Sequence, residues 1–435
     1  MAVTRRQFVA GMSALAASLG FSSAQVAKIT EALAIGGLGA GVKPKVLWVN
    51  GAACTGCTVS LLSLYEDARG KAVRTLPYST LDALGLAADG AVPRTLQNNG
   101  FNVDGSPFAV NVQDILIDWI DLQFIETAMN MGGDMAYRFL NENMHYTGGD
   151  DPFVLVVEGS TQADEKGGAW GDTGTHPWCS VGMPNDGTDD LDFDRVVEKL
   201  ASRADCAAVI SIGQCSSFGG FPSAVSPLFQ NFLGVGQGDN KGRQTGSMST
   251  HEYLTYKGLT AAANKVVNVP GCPPNPWWFT LTVVCFLIDL RATLNAPPGT
   301  VGPLGILRRP TSGLPVIHGG VDATRRLNAV YGTPLHGPAC ARYADYARGV
   351  FADNPGEPGC LQLIGCKGPS VNSLCGVHGW NGQQPENIRT DATVDSYGVA
   401  GFGGKQGGNC IMSGHPCMGC TEAGYPDSFV PFVLR

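Results

Sequence analysis

The chain has 435 residues, of which 37 are acidic and 29 basic, giving a formal net charge of −8. That balance excludes a nucleic-acid binder, which needs a basic face, and 44% hydrophobic against 15% charged residues exclude wholesale disorder. At roughly 150 residues per domain two or three domains are expected; fourteen cysteines are too sparse for a disulfide scaffold, so their grouping is what matters.

Residues 1–34 read as an export signal. Thr4-Arg5-Arg6-Gln7-Phe8 precedes an apolar run over 8–21 rich in Ala, Gly and Ser, too short for a membrane span of about 20 residues. Paired arginines before Phe point to the twin-arginine route, and Ala32-Leu33-Ala34 offers a small-x-small cleavage site. The alternative is a chance Arg-Arg before an ordinary helix. The glycine-rich run over 36–41 precedes the first strand instead of following it, so it is a linker and not a dinucleotide loop.

The apolar run KVLWVN (45–50) predicts a buried strand that ends just before a cysteine pair. Residues 60–150 read as an elaborated crossover or insertion, with a helix expected over 115–131, no chemistry, and His145 as an ordinary surface or core histidine. FVLVVE (153–158) is a second strand, the spacing of Phe193, Val196, Val197 and Leu200 predicts a helix over 192–204, AAVISI (207–212) is a third strand and KVVNV (265–269) a fourth. Residues 277–290 are apolar but too short to span a membrane and end at Asp289 and Arg291, so a buried helix is expected there. Apolar strands alternating with helices imply an α/β fold with a parallel sheet covered on both faces. Ligands of such sheets sit beyond the strands' carboxyl ends, and three of the four strands end at cysteines.

Cys54-Thr-Gly-Cys57 alone fits a redox pair, a zinc half-site or an iron–sulfur half-site. Cys215 and Cys272, at the ends of other strands, can join it. Their loops, Gly213-Gln-Cys215-Ser-Ser-Phe-Gly219-Gly220 and Gly271-Cys272-Pro-Pro-Asn-Pro276, are rich in glycine and proline. Such loops bring backbone amides close to cluster sulfur, a cradle zinc does not need. Prolines mark an irregular link after residue 295. Beyond 330 there is little apolar periodicity, and metal is the expected source of stability. That segment presents His336, Cys340, Cys360, Cys366, Cys375, Cys410, Cys417 and Cys420, enough for two more four-ligand sites. Disulfides are the alternative in an exported protein, but seven cysteines is an odd number.

These motifs, in this order, resemble the small subunit of [NiFe] hydrogenases of the exported uptake type. The resemblance covers about residues 43–60, 152–290 and 330–435. It rests on Cys54–Cys57, Val157-Glu158-Gly159, Cys215 before a Gly-Gly, and Pro270-Gly-Cys-Pro-Pro274. It continues through His336 with Cys340, Cys360-Leu361 to Cys366-Lys-Gly-Pro and Cys375, Trp380-Asn381, and Cys417-Met-Gly-Cys420. It implies a flavodoxin-like domain over 43–294 and an irregular, cluster-stabilised domain over 330–435. It also implies a proximal [4Fe–4S] cluster on Cys54, Cys57, Cys215 and Cys272, and a distal one on His336, Cys340, Cys360 and Cys366. Cys375, Cys417 and Cys420 fall to a medial cluster. Many relatives have Pro at the fourth medial position; Cys410 stands there in this chain, so a medial [4Fe–4S] is expected, or [3Fe–4S] if Cys410 is not a ligand. Two departures stand out: three residues separate His336 from Cys340 where the family usually has two, and the extra proximal cysteines of oxygen-tolerant relatives are absent.

By the same resemblance the partner is a large subunit that bears the Ni–Fe site, and the chain conducts electrons to an external acceptor such as a cytochrome in the periplasm, with no membrane span of its own. Glu158, at a strand end facing the proximal site, is a candidate for hydrogen bonding or proton relay there, with a plain strand-end carboxylate the alternative. Cys206 and Cys285 sit in apolar runs and are expected in the core; Cys179 is ambiguous. The rival readings are a respiratory quinone-reductase subunit, a cytosolic cofactor-reducing hydrogenase subunit, and a zinc- or disulfide-stabilised exported protein. The eight C-terminal ligands, the arginine pair and the glycine cradles, respectively, argue against them.

Overall fold

The computed structural model describes residues 45–62, 120–147, 152–163, 179–184, 190–224, 246–337, 340–378, 380 and 409–434. The expected export signal and most of the 60–150 stretch lie outside them. The framework is a five-stranded sheet of β1 (Lys45–Asn50), β2 (Asp121–Ile125), β3 (Phe153–Glu158), β4 (Cys206–Ile212) and β5 (Val266–Val269). The spatial order is β2-β1-β3-β4-β5 and every pairing is parallel. This is the flavodoxin-type order, whose switch point lies between β1 and β3.

Strand alternation divides the apolar residues between two cores. Val46, Trp48, Val154, Val156, Ile210 and Ile212 face one side, where they pack with Trp278, Phe279 and Leu281. Leu47, Val49, Leu155, Val157 and Val209 face the other, against Leu140, Phe193, Val196, Val197, Leu200 and Tyr253. The helices supplying those partners are α2 (Gly133–His145), α3 (Phe193–Ser202), α5 (Thr250–Tyr256) and α6 (Pro276–Leu294); two short helices, α1 (Gly56–Leu62) and α4 (Gly213–Phe218), follow β1 and β4 directly. α5 starts with a capping box, in which Ser249 and Glu252 each accept the other's backbone N–H. No helix among the described residues is long and apolar enough to cross a membrane.

The helix expected over 115–131 is corrected: Asp121–Ile125 is a strand at the sheet edge. Leu122 and Ile125 turn to the first core and Phe124 to the second, the register shifting between the Val46–Leu122 and Leu47–Phe124 pairs, and pairing with β1 alone satisfies its inner side. The 60–150 stretch is therefore in part integral to the sheet, contributing β2 and α2. His145, at the end of α2, is exposed and bonded to Asn141 O (2.7 Å), without chemistry.

α6 carries one buried charge, Asp289, whose carboxylate accepts N–H groups from Leu304 (2.8 Å), Ile306 (2.6 Å) and Leu307 (3.0 Å). It fixes the irregular link onto the helix. Beyond it, among the described residues, lies a small third core of Leu335, Ala352, Leu361, Ile364, Val371, Ile411 and Cys417, edged by Cys340, Cys366 and Cys375. Asp289→Ala leaves three buried donors without an acceptor and is expected to cost about 3 kcal/mol, read as a lower denaturation midpoint with an unchanged slope.

Candidate functional site

The carboxyl ends of β1, β4 and β5 deliver Cys54 and Cys57, Cys215, and Cys272 to one place. Three contacts knit their loops: Gln214 N–H to Gly271 O (2.9 Å), Ser60 Oγ–H to Pro274 O (2.8 Å), and Gly51 N–H to Glu158 O (2.8 Å). Gly213, at φ +84°, lies so close to Cys57 that a Cβ there would stand 2.3 Å from Cys57 Sγ; one on Gly220 would stand 2.9 Å from Cys215 Sγ. These glycines let the loops close on the thiols. Burial raises Cys57 well above the ordinary thiol range, and Glu158, Cys215, Cys272 and Cys54 raise it further. Burial, with Cys272 and Cys54, takes Cys215 up to about 12; burial, with Cys54, takes Cys272 up to about 11.

Glu158 lies at the end of β3, fully buried beneath α1. One carboxylate oxygen accepts the N–H groups of Cys57 (3.1 Å) and Thr58 (3.2 Å); the other accepts Trp48 Nε1–H (3.0 Å) and the Thr58 hydroxyl. Burial raises its pKa, and these four bonds oppose the rise. Its geometry is that of a clamp on the C-x-x-C turn.

A second group comprises Cys375, Cys410, Cys417 and Cys420. Cys375 is taken up to about 11 by burial first, with Ser373 opposing and Cys410 adding. Cys420 is raised by burial, then by Cys410 and Cys375, and Cys417 by burial, then by Cys375, Cys366 and Cys420. Cys410 is thus a neighbour of Cys375 and Cys420, with Asn409 Nδ2–H donating to Cys375 O (2.9 Å).

The third group is Cys340, Cys360 and Cys366: burial raises all three, Cys366 and Cys360 raise Cys340 further, and Cys360 raises Cys366. His336 stands edge-on to Tyr346 (4.4 Å between ring centres) and to Tyr343 (5.4 Å). Its Nε2 is buried with no hydrogen-bond partner among the described residues, the state of an imidazole nitrogen kept for a metal.

The donor chemistry fits iron–sulfur clusters. At Cys340, Cys360, Cys366 and Cys417 the sulfur accepts the backbone N–H two residues on, from Arg342, Gln362, Gly368 and Gly419. Such bonds favour the thiolate against burial. Among the described residues no three His, Cys, Asp or Glu side chains close on one point as the ligands of a single ion do. None of the fourteen cysteines is in a disulfide, and Cys206 and Cys285 are buried in the core. Cys179 is half-buried and is pushed up to about 11 by burial, with Glu126 and Asp194 adding.

The groups are joined in series. The Cys272 N–H donates to Cys420 Sγ, and the Cys417 N–H to Cys366 Sγ (3.3 Å). Around these joints lie polar groups to which the sequence assigns no role. Gln214 Nε2–H reaches Glu422 O (2.8 Å), and Trp380 Nε1–H reaches Cys272 O (3.1 Å). Trp380 belongs to a recognisable motif; Gln214 has no signal beyond its place before Cys215.

Two family models match the chain: NADH ubiquinone oxidoreductase, 20 Kd subunit, over residues 106–286, and the C-terminal part of the NiFe/NiFeSe hydrogenase small subunit, over 331–398. The chain is 26% identical to the periplasmic [NiFeSe] hydrogenase small subunit of Desulfomicrobium baculatum, over 100% of this chain and 99% of that one. It is also 26% identical to the periplasmic [NiFe] hydrogenase small subunit of Solidesulfovibrio fructosivorans, over 99% and 92%. The structure of the reduced, active Ni-Fe-Se hydrogenase from Desulfomicrobium baculatum superposes with a TM-score of 0.56 at 24% identity, covering 90% of this chain and 99% of that one, a likeness of fold. The first model covers β2 to β5 with Cys215 and Cys272 but not β1 or the Cys54–Cys57 turn; the second covers His336 to Cys375 but not Cys410, Cys417 or Cys420.

Gly213→Ala is expected to push Cys57 out of its set and lower the iron bound per chain. Gly258→Ala, equally at positive φ but with open space around it, is expected to leave iron content unchanged; iron and labile-sulfide assays on the two proteins check this.

Proposed function

We propose that the chain, similar to the small subunits of NiFe and NiFeSe hydrogenases, is the electron-conducting subunit of an exported, periplasmic [NiFe] hydrogenase oxidising H2. Cleavage of H2 belongs to the large subunit. In this reading Cys54, Cys57, Cys215 and Cys272 hold the proximal [4Fe–4S] cluster, Cys375, Cys410, Cys417 and Cys420 a medial [4Fe–4S] cluster, and His336, Cys340, Cys360 and Cys366 the distal one. The clusters, when bound, supply one-electron redox centres.

The observation that carries the reading is the serial joining of three neighbouring thiol groups by backbone amides, Cys272 to Cys420 and Cys417 to Cys366. Each joint places a cysteine of one group in hydrogen-bond contact with a cysteine of the next, which keeps the path between groups short. The N–H···S bonds stabilise sulfur negative charge and favour the reduced state. Glu158 holds the Cys57 turn in the shape its thiol needs. His336 replaces a thiolate by a neutral imidazole, which reduces negative charge at the distal group and raises its potential. Its ring is fixed by Tyr343 and Tyr346, themselves 38% and 39% exposed, so the distal end reaches the surface where an external acceptor such as a cytochrome docks. Export by the twin-arginine route is supported by Arg5-Arg6 and by the periplasmic names of the two relatives.

Metal and sulfide analysis of the heterodimer purified without oxygen tests this. About twelve iron atoms from this chain are expected, from three four-iron clusters, with nickel and one further iron from the partner; zinc without iron or nickel would overturn the assignment. Cys410→Ser is expected to convert the medial group to [3Fe–4S], read as a new electron paramagnetic resonance signal in the oxidised protein. If the wild-type heterodimer already gives that signal, Cys410 is not a ligand.

A further inference from the structure

Beside the second thiol group lies a charge network built on a buried guanidinium and two partly buried carboxylates. The Arg326 side chain is 5% exposed, with Nε 2.8 Å from Asp322 Oδ2 and Nη1 3.0 Å from Glu422 Oε2. Nη1 also donates to Thr421 O (2.8 Å), the residue directly after Cys420. Glu422 Oε1 accepts the N–H of Asn372 (2.8 Å), three residues before Cys375. One carboxylate therefore bridges the two segments that carry Cys375 and Cys420, and one guanidinium holds that carboxylate. Arg326 is itself anchored to the sheet: Asn268 in β5 donates its N–H to Arg325 O (2.9 Å), and Arg325 Nε–H donates to Val266 O (2.7 Å). The guanidinium stands 5.3 Å from the ring of Tyr331, whose hydroxyl donates to Pro270 O (2.7 Å) in the loop leading to Cys272.

An exposed ion pair contributes little. A buried one adjoining a redox group acts through a low dielectric and reaches it largely unscreened. We propose that Arg326 and Glu422 are positioning residues for the medial cluster: together they dock the Cys417–Cys420 loop against the sheet domain, and their opposite charges set the cluster's reduction potential in opposite senses. The proposal rests on the ligand assignment above. A positive charge favours the reduced, more negative cluster; a negative charge disfavours it.

The test is a potentiometric titration of the intact heterodimer, followed by electron paramagnetic resonance at pH 8, above the carboxylate range. Arg326→Gln is expected to lower the medial midpoint and Glu422→Gln to raise it, with smaller shifts at the other two centres. The double variant, which removes one charge of each sign, is expected to return close to wild type. Arg326→Lys keeps the charge but loses the two-pronged geometry; it is expected to hold the midpoint while lowering the unfolding temperature. Shifts of the same sign in both single variants, or none, would overturn the proposal, because a purely structural role moves stability without that reversal. Absence of a medial signal from the wild-type heterodimer would instead overturn the ligand assignment.

Discussion

A thiolate taken out of water costs free energy unless positive charge or hydrogen-bond donors replace the lost solvent. Eleven cysteines lie in three groups here, and each group holds thiols, among them Cys57, Cys215, Cys366, Cys417 and Cys420, that burial raises and neighbouring sulfurs raise further. Without compensation the arrangement would disfavour the charged ligands it assembles. The compensation is visible in the chain itself: amides two residues beyond four of the cysteines and the Ser373 hydroxyl beside Cys375 at 2.6 Å. The remainder falls to the iron of the clusters. The third core, seven buried side chains, is small for the segment it supports, and cluster bonds are the natural reinforcement for such a lobe.

The sheet domain is held together in the opposite way. Its strands are buried along nearly their whole length, and their parallel register brings the carboxyl ends of β1, β3, β4 and β5 to one edge. The C-x-x-C turn and Glu158 meet at the switch point between β1 and β3, where the diverging connections leave a crevice. A stiff domain thus presents one thiol group, and a lobe with little core of its own presents two. Contacts between them, Gln214 to Glu422, Trp380 to Cys272 and Arg326 to Glu422, act on residues at or beside the cysteines of the thiol groups. Docking and spacing of the thiol groups are therefore set by the same bonds.

Much of this is legible in the sequence, and the limits have physical causes. β1, β3, β4 and β5 are buried on both faces, so each is a continuous apolar run. β2 is an edge strand in which only Phe124 and Ile125 are buried; its neighbouring isoleucines and leucines fit a helix equally well. The cysteines stand out because soft ligands are scarce and their spacing is local. Glu158 is visible as a strand-end acid, but its four donors come from residues about 100 positions away, and no local pattern encodes them. Arg326 sits in an irregular link without periodicity, and its partner Glu422 is reached only through the tertiary fold.

The central claim, that this chain carries electrons on clusters held by these three groups, is tested most directly by Mössbauer spectroscopy of the iron-enriched heterodimer before and after exposure to H2 with no acceptor present. The account expects the iron of this chain to resolve as four-iron clusters that gain electrons on exposure to H2. Iron in single-ion sites, or cluster iron that H2 leaves unchanged while the large subunit remains active, would contradict it.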